Sequence, residues 1–302
     1  MIIETQNLTK QFNGQGGCRN ICLSVEEGQI FGFLGHNGAG KSTLVKTLVG
    51  LLHADSGKAW LLEKPLGDLE SRKKIGFLPE NFRYHDWMTG FELLAFHASL
   101  YKLPQNIIRQ RIPEVLLQVG LKDFSKQKIG TYSKGMQQRI GLACALLSDP
   151  KLLFLDEPTS ALDPLGRREV REIMLKLRAE GKTIFLNSHL LSEVENVCDH
   201  VAVIKRGQIV AAGTLPELLQ GSVEVTVRIG NLNPLILEAI GNYGNILKVE
   251  GQKVTVELTS REKIPGLSEL IIKKHGQLYE LATYNLLEEL FLKLMQEETE
   301  AC

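Results

Sequence analysis

A glycine-rich segment, GHNGAGKST at 35–43, carries the residue types that a phosphate site needs. It follows the apolar run 30–34 and fits the spacing G-x-x-x-x-G-K-[ST] in the order strand, loop, helix. Glycines let successive backbone N–H groups approach a phosphate without a Cβ in the way, and the following helix N-terminus adds partial positive charge. Lys41 should reach the β- and γ-phosphates, and the Ser42 hydroxyl should ligate Mg²⁺. The predicted phosphate site comprises Gly35, His36, Asn37, Gly38, Ala39, Gly40, Lys41, Ser42 and Thr43.

Two adjacent acids, Asp156 and Glu157, follow the apolar run 152–155. Open α/β sheets bind their ligands at the carboxyl ends of the strands, so we expect these carboxylates beside the phosphate site. Asp156 is predicted to hold Mg²⁺, and Glu157 is predicted to act as the general base that activates the attacking water. Together the two segments predict a site that hydrolyses a nucleotide phosphate.

Length, composition and charge restrict the class of protein. The 302 residues indicate about two domains. Lys plus Arg and Asp plus Glu both number 35, so the zero net charge excludes a basic nucleic-acid-coating protein and an acidic solvating chain. No apolar run approaches the roughly 20 residues of a membrane-spanning helix, and no basic-then-apolar leader is expected at the N-terminus. The five scattered cysteines predict reduced thiols and no zinc site.

Strand-like and helical segments alternate up to about residue 220, which predicts an α/β domain with a largely parallel sheet. Segments 2–8 and 21–25 have no helix between them and predict an added antiparallel portion. Helical apolar spacing predicts a helical insert at about 89–147. A break ends near Gly221, and a β-α-β-β-α-β order predicts a small α+β domain over 222–302 that closes with an amphipathic helix.

Three further segments bring the first part of the chain close to a known family. YSKGMQQR at 132–139 resembles the ABC signature LSGGQ, SALDP at 160–164 resembles the D-loop, and the Asn-Ser-His run ending at His189 resembles the switch-histidine segment. With the phosphate loop and the acid pair, they stand in the family's order, so the chain resembles the ATP-binding subunit of an ABC transporter. The resemblance implies a P-loop ABC ATPase domain at 1–220, an accessory domain at 222–302, and ATP and Mg²⁺ as ligands.

The resemblance also implies roles for residues outside the phosphate loop. Ser133 and Gly135 open a helix whose N–H groups would meet the γ-phosphate held by an opposite subunit, and Asp163 would bridge to that subunit. His189 would contact the γ-phosphate or the attacking water. Phe12 would stack its ring on adenine, with packing in the core as the alternative.

Two positions depart from the family pattern. Lys134 replaces the first glycine of the signature, but its side chain can point away, so little loss is expected. Glu80 stands where most members carry the Q-loop glutamine. A carboxylate there can still ligate Mg²⁺ or orient water, although it adds negative charge near the phosphates.

Two segments resemble the ABC-2 export branch, which includes drug and antibiotic exporters and the ATPase that serves nitrous-oxide reductase maturation. They are the Pro-Glu-Asn run at 79–81 and NLLEELFLKLMQ at 285–296. The aromatic-rich segment 82–96 stands where the family receives the coupling helix of its membrane subunit. Packing inside the helical insert is the alternative for each of its aromatic residues.

The resemblance implies an ATP-hydrolysing subunit that powers export through a separate polytopic membrane (permease) subunit. It further implies a second ATP-binding subunit, as a homodimer or heterodimer, and a cytoplasmic location, peripheral on the inner face of the cell membrane. The alternative function is a soluble ABC ATPase that acts on nucleic acid, the ribosome or cofactor assembly. A single cassette and zero net charge disfavour it, so no nucleic-acid partner is expected.

Overall fold

The computed structural model describes residues 1–12, 15–218, 222–283, 287, 288, 290, 291 and 294 of the 302-residue chain. The chain divides into two compact units, Met1–Thr214 and Leu215–Cys302. Gly221, where the predicted break ends, lies outside the described residues, and the predicted domain boundary stays a prediction.

The first unit combines strands and helices along its whole length. The strands are β1 Ile3–Phe12, β2 Gln15–Val25, β3 Ile30–Leu34, β4 Ser56–Leu61, β5 Lys64–Pro65, β6 Ile75–Leu78, β7 Leu152–Asp156, β8 Thr183–Ser188, β9 His200–Lys205 and β10 Gln208–Thr214. The helices are α1 Lys41–Leu48, α2 Leu69–Arg72, α3 Gly90–Leu100, α4 Gln105–Gln118, α5 Lys134–Leu146, α6 Pro164–Ala179 and α7 Leu191–Val197.

The strands of this unit form two sheets. One is antiparallel, with the order β2-β1-β4-β5. The other has the order β10-β9-β3-β8-β7-β6, in which β10 is antiparallel to β9 and the remaining neighbours are parallel. These sheets confirm the predicted α/β class with a mixed core sheet and an antiparallel portion.

The central strands of the mixed sheet are buried at every residue. These strands are β3, β7 and β8. Their sequences are largely continuous apolar runs, as is typical of parallel strands that are covered on both faces. Burying each large apolar side chain contributes about 1.5–3 kcal/mol, so these strands contribute strongly to the stability of the unit. The parallel register aligns their carboxyl ends: Leu34 lies beside Ser188, and Asp156 lies beside Asn187.

Helices α3, α4 and α5 lie between β6 and β7, and polar caps define where two of them begin. Thr89 caps α3 with a capping box, in which its hydroxyl accepts from the Glu92 N–H (3.2 Å) and the Glu92 carboxylate accepts from the Thr89 N–H (2.8 Å). Ser133 caps α5. Each cap satisfies a backbone N–H of the first turn and so fixes where its helix begins.

The second unit has its own sheet and core. Its elements are α8 Leu215–Leu218, β11 Val223–Ile229, α9 Pro234–Tyr243, β12 Asn245–Glu250, β13 Lys253–Leu258, α10 Ile264–Lys273 and β14 Leu278–Thr283. The sheet is antiparallel with the order β12-β13-β11-β14, and its apolar face packs on α9 and α10. The predicted small α+β fold is therefore confirmed.

No helix in the described ranges combines the length and the apolar character needed to cross a membrane. Of the predicted amphipathic segment at 285–296, residues 287, 288, 290, 291 and 294 are helical, and Leu287 and Phe291 are buried. The rest of that segment lies outside the described residues.

Candidate functional site

The phosphate segment folds as the predicted strand, loop and helix. It leaves β3 at Leu34 and enters α1 at Lys41. Gly38 and Gly40 have φ values of 82° and 107°, in the left-handed region that glycine adopts without strain. At Gly40 an added Cβ would also overlap the carbonyl oxygen of Gly17 on β2, so glycine is required there for two reasons. The loop is thereby held against the antiparallel sheet.

Lys41 is buried inside this loop with its ammonium directed at loop carbonyls. Its Nζ donates to the Gly35 carbonyl at 2.7 Å and to the His36 carbonyl at 3.3 Å. The Glu157 Oε1 atom lies 3.9 Å away. Burial lowers the pKa of the Lys41 ammonium, while the nearby negative charges, with Glu157 first, act in the opposite direction. A phosphate bound in the loop would supply the full counter-charge that this cation lacks.

Asp156 ends β7 beneath the phosphate loop and connects it to two other elements. Its Oδ1 accepts a hydrogen bond from the Asn187 side-chain amide on β8. The Ser42 hydroxyl on α1 lies 3.4 Å from the same oxygen. Burial raises the pKa of Asp156, whereas the hydrogen bonds from Ser42 and Asn187 lower it. Residues that are 114 positions apart in sequence thus meet at one carboxylate.

These oxygens fit Mg²⁺. Mg²⁺ takes hard oxygen ligands and is usually bound by one or two carboxylates together with substrate phosphates. Ser42 and Asp156 offer a hydroxyl and a carboxylate on facing elements, next to the loop that the sequence predicts to hold phosphates. Within the described ranges, no group of three or more His, Cys, Asp or Glu side chains could form a metal cage of its own.

Glu157 has a strained backbone, and its two carboxylate oxygens lie in different surroundings. Its φ is 53°, which is unusual for a residue with a Cβ, and its N–H donates to the Asn187 carbonyl at 2.9 Å. Its Oε2 lies 2.8 Å from His189 Nδ1, and because an ionised carboxylate only accepts, Nδ1 then donates. Its buried Oε1 accepts no hydrogen bond from the described residues.

Burial is the main cause that raises the pKa of Glu157, and the His189 contact and the Lys41 charge act in the opposite direction. A raised carboxyl pKa brings a general base closer to the pH at which it works, which increases its driving force for taking a proton. One oxygen held by His189 and the other left without a hydrogen bond give Glu157 the arrangement that a general base needs.

A cavity of about 250 Å³ collects most of the predicted ligand-binding residues. Its lining consists of Gly17, His36, Asn37, Gly38, Gly40, Lys41, Ser42, Thr43, Glu80 and Glu157. Gly35, Ala39 and Asp156 are buried next to it without lining it. Glu80 is exposed, so it reaches the cavity from the solvent side. The sequence interpretation missed Gly17, although the Gly16-Gly17 pair in a strand was a signal for close backbone approach.

Phe12 lies at the end of β1, away from the core. Its side chain is 49% exposed, so the alternative of core packing does not describe it. Lys10 Nζ lies 5.8 Å from the ring centroid. The neighbouring strand β2 carries Gly17, which lines the cavity. Residues 13 and 14, which follow Phe12, lie outside the described residues.

The signature residues stand at the exposed start of α5. The Ser133 hydroxyl accepts from the Met136 N–H at 3.2 Å, and Lys134 is exposed, as expected for a side chain that points away. An added Cβ at Gly135 would meet nothing closer than 3.9 Å, so the space in front of this turn is open. Neither Ser133 nor Gly135 lines the cavity of their own chain.

Asp163 is the N-cap of α6. Its Oδ1 accepts from the Gly166 N–H at 2.8 Å, and Pro164 occupies the first helical position, where a missing N–H costs nothing. Replacing Asp163 by Ala should lower the free energy of unfolding by about 1 kcal/mol, because the capping acceptor is lost. Asp163→Asn keeps that acceptor and should stay within about 0.5 kcal/mol of the native chain.

Denaturant unfolding of the full chain measures both values. Equal losses in the two variants would contradict capping and would assign the effect to the charge. Asp163→Asn is also the variant that tests the predicted bridge to a second subunit without disturbing α6.

The aromatic segment splits into a packed part and an exposed part. The Tyr84 ring meets the edge of His97 on α3 with centroids 5.7 Å apart. A Cβ added at Gly141 on α5 would lie 3.0 Å from the Phe82 ring. Trp87, Phe91 and Phe96 are 65%, 46% and 42% exposed. Packing within the helical insert therefore accounts for Phe82 and Tyr84 and leaves the other three on the surface.

Sequence comparisons find ABC transporter proteins. The profile of the family described as ABC transporter matches residues 18–160, which include both the phosphate loop and the acid pair. The uncharacterized ABC transporter ATP-binding protein all4389 of Nostoc sp. is 52% identical over 67% of this chain and 61% of its own length. The chain thus spans less than two thirds of this relative.

Two further relatives are matched over more of their length. The linearmycin resistance ATP-binding protein LnrL of Bacillus subtilis is 32% identical over 87% of this chain and 88% of its own. The fluoroquinolones export ATP-binding protein Rv2688c of Mycobacterium tuberculosis is 39% identical over 72% of each chain. A solved structure of the ATP binding subunit of an ABC transporter has a TM-score of 0.65 at 30% identity and covers 72% of this chain and 92% of that one.

Proposed function

This chain belongs to the family of ABC transporter ATP-binding proteins, and we propose that it binds ATP with Mg²⁺ and hydrolyses it to power export through a separate membrane subunit. The observation that carries the proposal is the arrangement around Glu157. Its Oε2 lies 2.8 Å from His189 Nδ1, and its Oε1 lies 3.9 Å from the buried Lys41 ammonium. The Lys41 ammonium, which would bind phosphate, and the Glu157 carboxylate, which would act as the base, line one cavity.

Each residue has a distinct task in this mechanism. Lys41 and the loop N–H groups bind the β- and γ-phosphates in place of the loop carbonyls that Lys41 contacts now. Ser42 and Asp156 would hold Mg²⁺, which neutralises phosphate charge when bound. Glu157 takes a proton from the attacking water on its free Oε1, and His189 holds the carboxylate through Oε2.

We further propose that a second ATP-binding subunit completes the site, as a homodimer or a heterodimer. The exposed N-terminus of α5 presents Ser133 and Gly135 to open space, and these residues do not line their own cavity. Helix N-termini attract anions, so this turn suits the γ-phosphate of an opposite subunit. Phe12 would stack on adenine, Glu80 would approach Mg²⁺ or water from the solvent side, and Asp163 would contact the partner.

The export proposal rests on relatives and on one surface. LnrL is named for linearmycin resistance, and Rv2688c is named for fluoroquinolone export. Trp87, Phe91 and Phe96 are each exposed, and we propose that these aromatic side chains contact the polytopic membrane partner. We therefore propose that the chain works in the cytoplasm, bound peripherally to the inner face of the cell membrane.

Affinity capture tests this function. The tagged full chain, recovered from detergent-solubilised native membranes and analysed by mass spectrometry, should bring along a stoichiometric polytopic protein. Trp87→Ala should reduce recovery of that partner by about tenfold, because exposed aromatic anchors dominate interface energies. Leu69→Ala is the control. Leu69 is an apolar residue that is as exposed as Trp87, at 69%, but it belongs to α2 and not to the aromatic segment 82–96.

A clean dimer without a membrane protein, or companions from ribosomes or DNA, would contradict transport and support the alternative of a soluble ABC ATPase. Equal loss of the partner in both variants would remove the aromatic surface from the proposal.

A further inference from the structure

Asn187 occupies a position where the fold alone calls for an apolar residue. It is fully buried in β8, between Phe33 of β3 and Asp156 of β7. The three residues before it in the strand, 184–186, are apolar and buried. An amide in this setting needs a partner, and burying it without one is costly. The reason for Asn187 must therefore lie in what its side chain contacts.

We propose that Asn187 is a positioning residue that fixes Asp156 for the metal–nucleotide complex, an inference that rests on the proposed function. The side-chain amide donates to Asp156 Oδ1. The Ser42 hydroxyl lies beside the same oxygen at 3.4 Å. With Oδ1 held, the carboxylate plane cannot rotate freely, and the second oxygen keeps a fixed direction.

The orientation of the amide is dictated by Asp156. If the amide were reversed, its carbonyl oxygen would face a carboxylate oxygen, which repels it. In the orientation present, the amide nitrogen is bonded, while Asn187 Oδ1 is buried and accepts no hydrogen bond within the described ranges. An apolar side chain of similar size would avoid this unpaired acceptor altogether. The cost is explained if the bond to Asp156 serves the site, because unpaired buried polar atoms need such a reason.

The main chain of Asn187 serves the other acid of the pair. Its carbonyl accepts from the Glu157 N–H at 2.9 Å, at the point where Glu157 has a φ of 53°. Any residue at 187 can make that bond, so side-chain substitutions leave Glu157 in place. The side chain and the main chain of Asn187 therefore act on different carboxylates, and mutation separates the two.

Calorimetric titration of the full chain with ADP, with Mg²⁺ and with EDTA, tests the inference. Asn187→Val and Asn187→Ala should each reduce the Mg²⁺-dependent gain in ADP affinity by about tenfold, since partners that orient a metal ligand typically contribute 10–100-fold to metal affinity. ADP affinity in EDTA should not change. Valine is β-branched and fills the space of the asparagine, whereas alanine leaves part of it empty, so the same result in both variants excludes packing as the cause. If one variant does not fold, the other alone tests the inference.

Thr183→Val is the matched control on the same strand. Thr183 is also fully buried, and its hydroxyl accepts from the Gly28 N–H at 2.8 Å, so the variant loses one partly buried hydrogen bond at the opposite end of the strand from Asn187. The Mg²⁺-dependent gain should be unchanged in it. An unchanged gain in the Asn187 variants, or an equal loss in Thr183→Val, would overturn the positioning role and leave the proposed function standing. Absence of ADP binding by the native chain would overturn both.

Discussion

Replacing Glu157 by Gln should leave ATP affinity unchanged while the rate constant of hydrolysis falls by about 10²–10⁴-fold, the usual contribution of a general base. Glutamine matches glutamate in size, and its amide oxygen can accept from His189 Nδ1 as Oε2 does now at 2.8 Å. It cannot take up the proton of the attacking water. Because ATP then stays bound, the two-subunit complex should accumulate in Mg²⁺-ATP. Phosphate release and light scattering on a sizing column measure the two effects.

Glu193→Gln provides the control for a buried carboxylate outside the cavity. Glu193 is 3% exposed on α7, and its Oε1 accepts from Arg171 on α6 at 2.9 Å. We expect this variant to hydrolyse ATP within several-fold of the native chain. Normal turnover by Glu157→Gln would refute its assignment as the base. Equal losses in the two variants would trace the effect to the packing of buried acids.

Local sequence was sufficient to predict the elements that position the site. The loop at 35–40 follows a fully buried strand and begins a helix at Lys41, and the acid pair follows another buried strand. Both features depend on neighbouring residues alone: a continuous apolar run forms a covered strand, and glycines permit the left-handed turns that follow. The residues that determine these shapes therefore lie within about ten positions of each other.

The two strands of the antiparallel portion were predicted too short for a physical reason. The predicted segments were 2–8 and 21–25, whereas β1 spans Ile3–Phe12 and β2 spans Gln15–Val25. Their pairing shifts register between Thr5 and Leu8 and again on both sides of Lys10. Each shift breaks the period-two alternation that identifies a half-buried strand from sequence. Phe12, which lay beyond the predicted segment, is therefore the last residue of β1.

The contacts that define the site chemistry join distant segments. Ser42 meets Asp156, Asn187 meets Asp156, and His189 meets Glu157, each across more than 30 positions. These pairs follow from the order and register of parallel strands, which hydrophobic periodicity does not encode. The family resemblance implied a role for His189, but it gave none to Asn187. Only the register between β7 and β8 places that amide against the carboxylate.

Replacing Lys41 by Ala should weaken nucleotide binding by about 10- to 100-fold, since a hydrogen bond to a charged group contributes about 1.5–3 kcal/mol. The ammonium is the cation nearest to Glu157 Oε1 at 3.9 Å, and it bonds the loop carbonyls of Gly35 and His36. The substitution removes the positive charge that would attract the phosphates of the nucleotide. It also leaves Glu157 without that counter-charge, which raises the repulsion between the carboxylate and an incoming nucleotide. Calorimetric titration with ADP measures the loss of affinity.

Lys46→Ala is the matched control, because Lys46 lies on the same helix α1 and is exposed. This variant loses the same formal charge as Lys41→Ala but leaves the loop intact. Because solvent screens exposed charges, its ADP affinity should stay within about threefold of the native value. An equal loss in both variants would assign the effect to net charge. An unchanged affinity in Lys41→Ala would contradict the phosphate site itself, because no other buried cation lines the cavity in the described part of the chain.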